Sequence, residues 1–97
     1  PSVSKKEARQ QAALERQRIA NLKKPLQKEL AQVEKELNPL SDELKALDAK
    51  LADTEFYTQG DQDEVADALK RRGEISAKVE ELEARWLELS EAIEAVV

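Results

Sequence analysis

The side chains in this sequence best placed to do chemistry are its cations, and the chemistry they favour is the holding of phosphate oxygens. Arg9, Arg16 and Lys23 recur every seven residues, so on a helix they fall on one line and make a cationic stripe. Arg18 and Lys24 add to the positive charge of the same segment. A flexible, solvated linker whose charge only keeps it soluble would carry the same residues, and both readings stand at this point. Covalent catalysis has no equivalent support. Nucleophile and base arrangements usually draw on His, Cys or a serine elbow, and the chain has no His, no Cys and no GxSxG. With Gly60 and Gly73 as its two glycines it cannot form a Gly-rich phosphate loop, so we expect no ATP site and no cofactor in this domain. Glu80, Glu81 and Glu83 read as a solvated helix face and not as a metal site, because no other type of ligand accompanies them.

The charge is distributed unevenly along the chain. Before Pro25, seven Lys and Arg stand against Glu7 and Glu15, a balance of +5; since the 97 residues total −5, the remainder carries −10. A protein that wrapped duplex DNA over its whole surface would be basic throughout, so any phosphate contact must be local. The 40% apolar residues are mostly Leu, Ala, Val and Ile, and Phe56, Tyr57 and Trp86 are the three aromatics. That composition suits a thin aliphatic seam between helices better than a thick globular core. No apolar run approaches the ~20 residues of a membrane span. Absence of cysteine fits a reducing compartment, and the opening Pro1 is read as an excision from a longer protein.

The cations need helices to position them. Leu26, Leu30, Val33, Leu37, Leu40, Leu44, Leu47 and Leu51 alternate steps of four and three, which is a coiled-coil seam, and Leu22 and Ile19 extend it upstream with one irregular step. Val65, Ala68, Arg72, Ile75, Val79, Leu82, Trp86, Leu89, Ile93 and Val96 repeat the pattern. The expected fold is all-α: an antiparallel two-helix coiled-coil hairpin over 19–97 with a basic extension over 1–18. Its first helix covers 19–52, the turn 53–63 and the second helix 64–96. Pairing Leu51 with Val65 makes facing residue numbers total about 116, which sets Trp86 near Leu30, Leu40 near Ile75 and Ile19 near Val96. A second helix of about 33 residues spans about 50 Å, so the molecule should be a rod.

Several positions carry finer expectations. Pro39 removes a helical donor and crowds the preceding turn, so we expect a kink or 3₁₀ turn near 35–39, with Asn38 capping a restarted segment. The leader has Gln11 and Ala12 where leucines would continue a seam, which points to disorder before about Gln17. Near the tip, Lys70, Arg71 and Arg72 face Lys45. Arg72 lies on the seam and should reach Asp48 or Glu43 to set the register, while Lys70 and Arg71 point outward and are free for phosphate. Phe56 and Tyr57 should cap the open end of the seam, the alternative being stacking on bases. Trp86 is expected as a packing anchor in the seam.

Four segments in order, KKEARQQAALERQRIA (5–20), PLQKELAQVEKEL (25–37), the turn LADTEFY (51–57) and EELEARWLELSEAIE (80–94), resemble the C-terminal domain of ABC-F ATPases of the Uup type. The likeness covers nearly the whole chain. It implies a cytoplasmic bacterial protein in which this domain follows two tandem ATP-binding cassettes, where ATP and Mg are bound and hydrolysed without a membrane-spanning partner. It also implies a nucleic-acid role, on ribosomal RNA or structured DNA. Pro39 and the acidic second helix depart from a continuous binding surface. The expectation is therefore a nucleic-acid-binding accessory arm that uses Arg9, Arg16, Arg18, Lys23, Lys24, Lys45, Lys70 and Arg71. The alternative is a structural coiled coil that docks on the cassettes of its own chain or forms a weak homodimer.

Overall fold

The computed structural model describes residues 4–97, and three helices follow one another along them: α1 over Lys5–Ala52, α2 over Thr54–Gln59 and α3 over Gln62–Ala95. Each begins where a short polar side chain can accept from an orphan backbone donor. Ser4 Oγ accepts from the Glu7 amide at 3.1 Å, Asp53 from that of Glu55 at 3.0 Å, and Asp61 from that of Asp63 at 2.7 Å. The first residues of α1 and α3 also include Glu7, Asp63 and Glu64, which suit the positive end of a helix dipole.

α1 and α3 pack against each other as an antiparallel hairpin, giving a rod of 83 × 16 × 15 Å. The core is thin and aliphatic. Val33 from α1 and Ala68, Ile75, Val79, Leu82 and Leu89 from α3 are buried, Ile75 and Leu89 almost completely. Leu26, Leu30, Leu37 and Leu40 pack partly buried against Val33, Leu82 and Leu89. These are the seam positions read from the sequence, and burying each such side chain contributes about 1.5–3 kcal/mol when complete.

Polar pairs along the flanks fix the register. The Arg71 guanidinium donates twice to Glu43, at 2.9 and 3.0 Å; Arg85 donates to Glu29 at 2.8 and 2.6 Å; Arg72 bonds Asp48; and the Trp86 indole N–H donates to Glu34 at 2.9 Å. In all four the donor lies on α3 and the acceptor on α1. Their residue numbers total between 114 and 120, so the observed pairing is the one expected at about 116.

The tip turns through α2. Phe56 is half-buried with the Lys50 ammonium 4.6 Å from its ring centroid, whereas Tyr57 remains 53% exposed, so of the two aromatics expected to cap the seam only Phe56 is partly covered. Gly60 ends α2 by donating to the Phe56 carbonyl at 3.0 Å. A Cβ there would stand 2.3 Å from that same oxygen, so the turn needs a residue without one.

Two expectations about α1 fail. The helix does not stop for a 3₁₀ turn at 35–39, because α1 is α-helical through both Pro25 and Pro39. An interior proline costs about 3 kcal/mol, but Val33, Leu37 and Leu40 on either side of Pro39 pack on a single uninterrupted α3, and holding both halves on one partner offsets that cost. Nor is the leader disordered up to Gln17: Lys5–Gln17 is helical, so the extension expected over 1–18 is a direct continuation of α1, its first three residues lying outside the described ones. Trp86, expected in the seam in a partly buried environment, is 38% exposed at its margin, with its indole N–H donating to Glu34.

Candidate nucleic-acid interface

The hairpin ends before α1 does. Every residue from Ser4 to Arg18 is exposed, and the first side chains of α1 to meet α3 are Ile19 and Lys23, both half-buried. Leu22, expected in the seam, is 48% exposed. The reason is geometric: carrying the three-and-four step back from Leu26 without interruption lands on Lys23, Ile19, Arg16, Ala12 and Arg9, and the helix keeps that regular step. The cationic stripe is thus the seam line itself, continued past the end of its partner helix. Lys23 is half-buried at the last of the seam, a place a long side chain with an apolar stem tolerates.

Arg16, Lys23 and Lys24 come together around one shallow cleft with Ile19, Ala20 and Gln27. Arg9 lies two turns further along the same line, about 10 Å from Arg16 at 1.5 Å per residue. Among the described residues no ion pair engages Lys5, Lys6, Arg9, Arg16, Lys23 or Lys24. Lys5 and Lys6 belong to this set although the heptad spacing did not single them out; the plain count of charge in the leader was the signal that contained them.

Arg18 is different. Its guanidinium bonds Glu15 at 3.0 and 2.6 Å and donates to the Val97 carbonyl at 2.7 Å. The hydrogen bond from Arg18 holds the Glu15 carboxyl below its ordinary range and raises the guanidinium in turn. It joins the leader to the end of α3 instead of presenting a free charge.

The tip cluster separates in the same way. Lys45 and Lys70 are exposed and engaged in no ion pair among the described residues, and Arg72 bonds Asp48 as expected of a register residue. Arg71, expected to be free, is committed to Glu43 in a bidentate pair that lowers the Glu43 carboxyl and raises the guanidinium. The cause of that correction is reach: a five-donor fork on α3 finds a carboxylate at the matching level of α1. Arg85, which spacing did not single out, is a third cross-helix tie, raised first by its bond to Glu29 and then by that to Glu88. From Lys24 to Lys45 is about 32 Å along the helix, so the leader and tip cations are two separate sites.

A long two-helix hairpin with a thin seam, charged flanks and a single-helix extension is an accessory element, one that positions or contacts other groups. The chain belongs to the ABC transporter C-terminal domain family, whose model matches residues 21–91. Membership makes it an all-helical accessory domain of an ATP-binding cassette protein and not a catalytic one. The match spans the hairpin and begins where the leader ends. No curated protein and no solved structure matched the chain. No helix among the described residues is long and apolar enough to cross a membrane.

Proposed function

We propose that this domain is the nucleic-acid-binding C-terminal arm of a cytoplasmic ABC-F ATPase of the Uup type, with ATP hydrolysed in the cassettes of the same chain. The observation that carries the reading is the basic start of α1: among the described residues Lys5, Lys6, Arg9, Arg16, Lys23 and Lys24 form no ion pair, and Arg9, Arg16 and Lys23 lie on a single line that runs on into a rigid rod. A line of cations at heptad spacing suits a row of phosphates, so the arm is proposed to recognise backbone and shape, as in ribosomal RNA or branched DNA. Lys45 and Lys70 form a lesser site near the tip.

Binding of the chain to a structured RNA and a branched DNA across a salt series tests this. With about four phosphate contacts, log affinity should fall against log salt with a slope of about −3 to −4. R9E/R16E should lose most of the affinity, and K45E/K70E should lose less. Undetectable binding to both nucleic acids at low salt, or binding indifferent to salt, refutes the proposal.

A further inference from the structure

α3 ends with few of the features that hold a helix terminus. Its last turn carries no Lys or Arg, and Glu91 and Glu94 stand near the end, where the negative pole of the helix dipole disfavours acids. Val96 closes the helix with a long bond from its amide to the Ile93 carbonyl, at 3.3 Å. The cation that α3 lacks comes from α1. Arg18 donates to the Val97 carbonyl at 2.7 Å, 79 positions away in sequence, and Glu15 holds the same guanidinium at 3.0 and 2.6 Å. Among the described residues, no other side-chain hydrogen bond or ion pair joins the stretch from Ser4 to Arg18 to α3 or the residues after it.

The direction of that tie matters for the cationic stripe. With 3.6 residues per turn, Arg18 lies about 140–180° round α1 from Arg9, Arg16 and Lys23. It cannot join their row, and it meets the end of α3 from the side away from it. We propose that Arg18 is a positioning residue for the phosphate site: held by Glu15, it clasps the end of α3 through the Val97 carbonyl and keeps that acidic end from swinging over Arg16 and Lys23. Arg18 then acts through α3 and touches no phosphate itself. Its role at the site rests on nucleic-acid binding by the leader; the clasp does not.

Amide exchange of the whole chain, followed residue by residue without nucleic acid, tests the clasp. R18A should speed exchange from Ile93 to Val96 by about fivefold, the worth of one hydrogen bond from a charged donor at the surface. R18K, with a single-point donor in place of the fork, should restore part of the protection, and E15Q should lose a smaller part of it. R16A removes the same charge two positions away and should leave these amides as they were. Binding to a structured RNA across a salt series gives the second arm. R18A should weaken binding by about two- to threefold and keep the salt slope, whereas R16A should reduce the slope by about one. E15Q separates position from charge: loss of an anion alone would tighten binding, and a loosened clasp should weaken it. Unchanged exchange in R18A, exchange raised as much by R16A, an R18A slope reduced like that of R16A, or tighter binding by E15Q would each overturn the proposal. An unaltered chain that binds no RNA at low salt would refute the nucleic-acid reading and the role of Arg18 at that site, and the exchange result would still decide the clasp.

Discussion

The leader and the hairpin body share one helix and are stabilised by different things. From Leu26 onward α1 lays leucines and Val33 on α3 along the seam and carries acids on its flanks; before Ile19 the same seam line holds Arg9, Ala12 and Arg16, all exposed. Both stretches are helical, and Ser4 caps the first turn, but only the body has a packed face. One element can therefore be a structural rod along part of its length and an open binding surface along the rest, the boundary falling where α3 ends.

The comparison is sharpened most by substituting a seam residue. Leu89→Ala, at a side chain 1% exposed, should destabilise the body by about 2–4 kcal/mol in urea or thermal unfolding. Leu14→Ala in dilute solution should change stability by no more than about 0.5 kcal/mol. Equal effects would mean that the leader is packed within the monomer.

The tip comes next. Gly60→Ala drives a Cβ against the Phe56 carbonyl and should cost about 1–3 kcal/mol, whereas Gly73→Ala, with nothing within 4 Å of the new methyl, should stabilise α3 by about 0.5–1 kcal/mol. Denaturation midpoints moving in opposite directions would confirm that the first glycine is needed for close approach and the second is not.

Ala12→Gly with Ala13→Gly separates the two regions directly. Each glycine weakens a helix by about 1 kcal/mol, so the far-ultraviolet helical signal and the amide-exchange protection of the leader should fall. The midpoint for the body should stay where it was. A body midpoint that dropped with the leader would break the division drawn between them.

The smallest effect is that of pH. The Glu43 carboxyl is lowered by its bond to Arg71, and Glu15 by its bond to Arg18. A lowered folded-state pKa means that the unfolded chain takes up protons first. The stabilisation is therefore present above the ordinary carboxylate range, and it is lost as pH falls through that range and below it. Both pairs lie at the surface, so the change should be slight. Glu43→Gln should flatten the part of the acid dependence that belongs to the body and leave the Glu15 part intact, as measured by unfolding midpoints between neutral and acid pH.

Much of this was legible in the residues. Steps of three and four with aliphatic side chains specify a seam whichever helix meets it, and a short polar turn with Gly60 leaves an antiparallel return as the available arrangement, so the pairing could be read in advance, and Arg72's partner narrowed to Asp48 or Glu43, of which it takes Asp48. The stripe of Arg9, Arg16 and Lys23 was also visible, although not that it continues the seam line; the apparent step from Leu26 to Leu22 concealed it. Pro39 shows the opposite case. Its local cost argued for a break, and a neighbour distant in sequence outweighed it. Arg71 looked free because its charge was counted along its own helix, and the carboxylate that occupies it lies 28 positions away.

By itself, then, the sequence determined what periodicity and composition can carry: two helices, their antiparallel register, a basic leader on an acidic rod, and no catalytic residues of the usual types. Tertiary structure alone decided which cations remain free, how far α1 continues beyond α3, and that Trp86 stands at the margin of the seam. Those outcomes depend on which side chain of one helix comes within reach of another at the same level of the rod. That distance is set by packing, and local spacing along the chain does not contain it.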